Sequence, residues 1–337
     1  MITYPLLKSN AVIGVTAPSS GVPQELHGLL KQASEKMESR GYTIITGETA
    51  WTQEKAKSAH AAKRSEELNQ MMQDDRIDFI LPPWGGELAM EMLEGVDYDA
   101  IKEKWILGYS DVSVLTLAIT LKTGMATAHG TNLIDLRGES SDPTSAMWET
   151  VLKTERGGKV TQISSEKYQE KWQHENPTPH VYHLTEPTVW KTVSGQDEQV
   201  KGRLLGGCID VIKHLAGTPL GDVEAFSKKH IAGDPIIWYF ENCALSATDL
   251  RISLVQLKMA GWFENCSGIL FGRSPANHPV EGYTAEDVYE DLASELGVPV
   301  IYDIDCGHQP PQLTLINGAF ADVTVENGKG IVVQEFR

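Results

Sequence analysis

Ser110, Glu241 and His308 each stand just past a run of apolar residues that reads as a buried strand. Serine is a weak nucleophile until a base takes its proton, and histidine does this best near neutral pH. Histidine in turn needs an acceptor that fixes its tautomer and steadies the imidazolium, which glutamate supplies. The chemistry open to such a trio is acyl transfer, although Ser, Glu and His at strand ends are common and on spacing alone a structural role for each is the better reading. Around Ser110, Trp105-Ile106-Leu107 reads as a short strand, Gly108 breaks it, and Val112 to Leu121 reads as a mostly buried helix. A serine at that turn lies at the positive end of the helix dipole, with the next backbone N–H, that of Asp111, free to meet an oxyanion. Gly85 or Gly86 offers a second N–H, because glycine lets a substrate approach the backbone. Taken alone, the stretch favours a plainer role, with Ser110 or Asp111 as a helix cap. The usual nucleophile elbow has glycine where this chain has Val112.

The elements that must position these residues alternate. Strands are predicted over 11–16, 42–46 and 77–81, before Ser110, and from about 125. Helices are predicted over 25–40, 55–74, 87–93 and 112–121. This alternation predicts an α/β fold with a parallel sheet covered on both faces. Ligands of such sheets sit beyond the carboxyl ends of the strands, where the loops Ala17 to Gly21, Pro82 to Gly86 and Gly108 to Asp111 fall. No G-x-G-x-x-G follows the first strand and no P-loop pattern occurs, so a dinucleotide or nucleoside triphosphate site is not supported. The pattern weakens between Pro143 and Ser194, which reads as a linker and an extended, partly hairpin loop holding Trp172, Tyr182 and Trp190, aromatics that more commonly anchor a loop to the body than stack on a ligand. Strands and helices resume near Lys201: a strand or turn through Gly206-Gly207-Cys208, strands over 235–240, 267–271 and 298–302, and helices over 209–216, 247–260 and 285–296. A terminal hairpin turns at Asn327-Gly328. The expected division is 1–145, 146–200 as linker and substrate loop, and 201–337.

At 337 residues the chain is long for one core. Its formal net charge of −17 argues against nucleic acid or anionic membrane as partners. No apolar run approaches the roughly 20 residues of a membrane span. Met1 to Lys8 lacks a charged head followed by an apolar core, so no secretory leader is predicted and a cytoplasmic location is expected. Cys208, Cys243, Cys266 and Cys306 form no C-x-x-C pair. Cys306-Gly307-His308 with Cys208 and Cys243 is the sharpest rival reading, a metal site, but no metal-binding spacing accompanies it. No metal or other cofactor is expected. His129 is a further possible base, read as a packing residue.

Gly14-Val15-Thr16-Ala17-Pro18-Ser19-Ser20, Gly85-Gly86, Gly108-Tyr109-Ser110-Asp111, Gly202 with Gly206-Gly207, Glu241 and Cys306-Gly307-His308 follow one another in a known order. In these pieces, along nearly its whole length, the chain resembles the LD-carboxypeptidase family of serine peptidases, which includes the microcin C immunity proteins. The resemblance implies Ser110 as nucleophile, His308 as general base and then acid, Glu241 as its orienting carboxylate, and an oxyanion hole from the Asp111 N–H and that of Gly85 or Gly86. It implies a Rossmann-like N-terminal domain, a smaller β-rich C-terminal domain, a triad assembled between them, and a homodimer. Trp84 before the paired glycines and the long inter-domain segment point to the immunity branch, whose substrates are peptidyl or aminoacyl nucleotides. The alternative is a murein tetrapeptide losing its terminal D-alanine, and a further one is a small-molecule binder without catalysis. Trp190 resembles a loop tryptophan that stacks on the substrate's nucleobase. Ser19 and Glu87, at the loops beside the paired glycines, are the other expected substrate-binding residues. Glu87-Leu88 and Cys208 depart from asparagines of the immunity proteins.

Overall fold

Five short apolar segments build the first sheet: β1 (Val12–Val15), β2 (Thr43–Thr46), β3 (Phe79–Ile80), β4 (Trp105–Gly108) and β5 (Thr127–His129). They lie parallel in the order β5-β4-β3-β1-β2. The computed structural model describes residues 1–172 and 178–337. Helices His27–Ser39 and Ala61–Gln73 are amphipathic and put Leu30, Ala33 and Met37, and Leu68, Met71 and Met72, into the core. The second is shorter than the predicted 55–74, because Lys55 and Ala56 take left-handed backbone angles in a tight turn closed by the Glu54 N–H to the Lys57 carbonyl at 2.8 Å. The helix predicted over 87–93 is a 3-10 helix, Ala89–Gly95.

The remaining strands are β6 (Lys159–Ile163), β7 (Lys167–Tyr168), β8 (Glu186–Pro187), β9 (Lys191–Thr192), β10 (Glu198–Cys208), β11 (Ile236–Glu241), β12 (Cys266–Gly272), β13 (Val300–Ile304), β14 (Leu315–Asn317), β15 (Phe320–Glu326) and β16 (Lys329–Glu335). Eight of them form the second sheet, in the order β6-β16-β15-β10-β11-β12-β13-β9. Its centre, β10 to β13, is parallel, and antiparallel strands flank it on both sides. The hairpin expected at Asn327-Gly328 is β15–β16. The segment read as a linker does more than connect: it supplies both edge strands of this sheet, β6 and β9, the small β7–β8 pair, and helix Met147–Leu152 with the buried Trp148. Part of that predicted loop, residues 173–177, lies outside the described residues.

Two features join the halves. Strand β14 leaves the C-terminal half and pairs antiparallel with β5, completing the first sheet as its sixth strand. Asn317 on β14 is fully buried; its side-chain oxygen accepts the Gly206 N–H at 3.0 Å and the Tyr239 hydroxyl at 2.8 Å. The helix Val112–Thr123 is the other junction. Every residue from Val112 to Leu121 is buried, so it has no solvent face and packs against both sheets. Among the described residues, no helix is long and apolar enough to cross a membrane.

Candidate active site

Ser110 stands between β4 and that buried helix with φ of +62°. A left-handed angle at a non-glycine residue costs about 1–3 kcal/mol and persists only where the surroundings impose it. Two of those surroundings are visible. The Ser110 N–H donates to Glu241 Oε1 at 3.1 Å, and Gly85 lies so near that an added Cβ would come within 2.6 Å of Ser110 Cβ. The Ser110 hydroxyl is 3.1 Å from His308 Nε2, and His308 Nδ1 is 2.6 Å from Glu241 Oε2. The three side chains predicted from strand ends therefore form one hydrogen-bonded chain, with the serine at the end of β4, the glutamate at the end of β11 and the histidine four residues beyond β13.

Glu241 is 1% exposed. Burial presses its carboxyl upward, but the charge and hydrogen bond of His308, with His129 and the Ser110 N–H, hold it below the usual carboxylate range. Burial pulls His308 down, yet the Glu241 charge and the nearby Cys243 side chain outweigh it and hold the imidazole well above its ordinary value. His129 is fully buried with Nε2 3.9 Å from Glu241 Oε1, and burial drives it down to about 4, so it stays neutral behind the carboxylate.

Neither Ser110 nor Asp111 caps the helix with its side chain, which corrects the plainer reading of this turn. The buried Asp111 carboxylate turns away instead, accepting the Ala89 N–H at 2.7 Å and the Ser19 hydroxyl. It thereby ties the loop after β1 and the loop after β3 to the turn that carries Ser110. Ser19 is fully buried, so its hydroxyl is spent on Asp111 and does not face a substrate. Its expected binding role is corrected on that ground. Trp190 is corrected too. It is 1% exposed, gives its indole N–H to Asp305 at 2.9 Å, and lies flat against Gly330, where a Cβ would come within 2.1 Å of the ring. A ring held in this way cannot stack on a ligand. Glu87 is exposed beside the paired glycines. Of those glycines, Gly85 abuts Ser110 and Gly86 abuts Ser19 and Ser20.

Several positioning residues had no motif. Asp305 is fully buried and accepts the Ser165 N–H at 3.0 Å, the Trp190 indole and the Arg273 guanidinium at 2.7 Å. Arg273 also reaches the Gln309 carbonyl at 3.3 Å, so this pair brackets His308 in the chain and anchors its loop. Asp210 accepts the Cys243 and Ala244 N–H groups, each at 2.9 Å, and fixes the loop after Glu241. Trp172, half-buried, donates its indole N–H to the His308 carbonyl at 3.0 Å. Acidic residues at strand ends were the available signal, but each also reads as an ordinary surface residue. Among the described residues no three His, Cys, Asp or Glu side chains converge as metal ligands. Cys208 instead sets its thiol against Asp210 at 3.4 Å.

The LD-carboxypeptidase N-terminal domain matches residues 13–130 and its C-terminal domain matches 201–323. The chain belongs to the LD-carboxypeptidase family. Like other members of this serine-peptidase family it is an enzyme of the hydrolase class. A Vibrio cholerae protein named as a carboxypeptidase is 26% identical over 94% of this chain and 92% of its own. The microcin C7 self-immunity protein MccF of Escherichia coli is 25% identical over 99% of this chain and 97% of its own. A Bacillus subtilis protein named as a murein peptide carboxypeptidase is 24% identical over 97% and 92%. The solved structure of MccF in complex with glutamyl sulfamoyl guanosine superposes with a TM-score of 0.82 over 99% of both chains at 22% identity. This LD-carboxypeptidase-family chain thus has the two-domain α/β fold expected of it.

Proposed function

We propose that this protein is a serine amide hydrolase in which Ser110 is the nucleophile, His308 the base and acid, and Glu241 the orienting carboxylate. The observation that carries the reading is the unbroken hydrogen-bonded chain from Ser110 through His308 to Glu241, built from three strand ends of two sheets. His308 takes the Ser110 proton as the hydroxyl attacks the substrate carbonyl. The imidazolium, steadied by Glu241, then gives that proton to the leaving nitrogen as the C–N bond breaks. Water, deprotonated by His308, attacks the acyl-enzyme, and the proton returns to Ser110 as the acid leaves. No step calls on a metal or organic cofactor.

The oxyanion hole is assigned to the Asp111 and Gly86 N–H groups. The Gly85 carbonyl accepts the Ser20 N–H at 3.2 Å, and a trans peptide points the following N–H, that of Gly86, in the opposite direction. Gly85 supplies the close approach, since its α-carbon adjoins both Ser110 and the Asp111 nitrogen.

The substrate reading is an aminoacyl or peptidyl nucleotide of the microcin type, cleaved for self-protection. It is supported by full-length similarity to MccF and by the sulfamoyl nucleotide bound to that relative. Similarity to the murein peptide carboxypeptidase supports the alternative of a murein tetrapeptide. With Trp190 buried, the loop tryptophan that stands beside the triad is Trp172. The same reading makes the protein a cytoplasmic homodimer, which light scattering and cell fractionation test. Side-by-side turnover of an aminoacyl sulfamoyl adenosine and a murein tetrapeptide separates the two substrate readings. Cleavage of the nucleotide is expected, and cleavage of the tetrapeptide alone would refute the immunity assignment.

A further inference from the structure

Asp135 lies in the loop after β5, and three hydrogen bonds fix where that loop runs. The Leu133 and Ile134 N–H groups donate to the Pro82 and Pro83 carbonyls, each at 3.1 Å, and the Tyr109 N–H donates to Asn132 Oδ1 at 3.4 Å. The loop therefore lies along both the strand end that leads to Gly85 and the turn that carries Ser110. Asp135 is half-buried on this rim. One carboxylate oxygen accepts the Asn132 N–H at 3.2 Å, and the Tyr109 hydroxyl reaches the same carboxylate. Tyr109 packs edge-on against His308 with ring centroids 5.2 Å apart. Tyr182 also stands close to Asp135, and its ring meets Trp172 at 5.7 Å.

A half-buried carboxylate among aromatic rings is costly without a counter-charge. The neighbouring Arg137 guanidinium donates to the Ile134 carbonyl at 2.8 Å, and its charge and that of His308 offset the cost only in part. Burial pushes the Asp135 carboxyl up to about 6, partly offset by the Asn132 N–H, Arg137, His308 and Tyr109. A ligand cation placed here would join Arg137 and His308 in favouring the ionised carboxylate. Aromatic faces beside a carboxylate are also the surroundings that suit an ammonium group.

We propose that Asp135, flanked by Tyr109 and Tyr182, forms an ammonium subsite that holds the free amino group on the acyl side of the scissile amide. The inference rests on the serine-hydrolase reading above and adds a substrate requirement to it: the acyl portion carries an unmodified primary amine. Asp135 acts in specificity and takes no part in bond making.

The test uses alanyl sulfamoyl adenosine and its N-acetyl counterpart, with Asp135→Asn as the variant. Asparagine keeps an oxygen for the Asn132 N–H, so the loop is retained while the charge is lost. In the Ser110→Ala background, calorimetry is expected to show the free-amine compound bound about tenfold or more tighter than the acetylated one. Adding Asp135→Asn is expected to abolish that difference while leaving the affinity for the acetylated compound unchanged. Equal binding of the two compounds before the Asp135 change would overturn the subsite, as would a parallel loss for both compounds after it, or binding of neither. Labelling of Ser110 by a fluorophosphonate tests the underlying reading separately. If wild type and Asp135→Asn label equally, the triad is intact in both; if wild type does not label, the hydrolase reading itself fails.

Discussion

At Ser110 the strained backbone angle, the Glu241 hydrogen bond and the imidazole all bear on one residue. Ser110→Ala or His308→Ala is expected to lower kcat by about 10³-fold or more, read in a single-turnover assay, with little change in melting temperature. Gly85→Ala is a sharper test of the geometry. Its methyl would meet Ser110 Cβ at 2.6 Å, so the serine or the loop must shift, and kcat is expected to fall by about 10²-fold while the protein still folds. The pH profile follows from the charge on His308. Glu241 holds the resting imidazolium well above the ordinary histidine value, and a general base must be neutral, so kcat/KM is expected to rise on the alkaline side of neutrality. A Glu241→Gln variant removes the charge that raises it and should move that limb toward acid. Apolar strands before Ser110 and His308 and ending at Glu241 made the positions legible, but on spacing alone each reads as structural, and only the family resemblance drew the three together. For Trp190 the residue alone pointed to anchoring of the loop and the resemblance to stacking, and the fold shows Asp305 taking its N–H.

Elements decide whether those residues meet. Asn317 is the clearest case, a buried amide that satisfies the Gly206 N–H and the Tyr239 hydroxyl while β14 pairs with β5. Asn317→Ala leaves two buried polar groups unpaired and is expected to cost about 2–4 kcal/mol in chemical denaturation. Activity should fall with it, because β11, which ends on Glu241, carries Tyr239. Nothing in Leu315-Ile316-Asn317 announces this role. A three-residue strand is too short for periodicity, and its partner is nearly two hundred residues away. By contrast, the apolar runs of β4, β11 and β12 and the amphipathic helix Ala285–Leu296 were readable from pattern alone. The edge strands β6 and β9 were missed because their residues are mostly polar or half-exposed, as edges are.

Across the whole molecule, burial of titratable groups at the junction makes stability depend on pH. His129 is held neutral with its value lowered to about 4 by burial, against Glu241, which raises it, and His308, which lowers it further. A depressed histidine contributes stability that is complete above its unfolded value near 6.5 and is lost as pH falls toward 4, up to about 3 kcal/mol. Asp135, raised to about 6, works in the opposite sense, losing its contribution as pH rises through that value. The difference between wild type and His129→Gln in urea melts at pH 7 and pH 5 isolates the first effect, and wild type is expected to lose more stability than the variant over that interval. The sixth strand of the first sheet has a consequence for how the protein is made. The ribosome releases the chain from its N-terminus, so the domain that bears the serine emerges with one sheet edge still open. That edge waits for residues 315–317, which follow His308. Ser110, His308 and the strand that closes the sheet thus come together only once residue 317 has emerged, and a nascent chain halted earlier would carry Ser110 without its histidine neighbour.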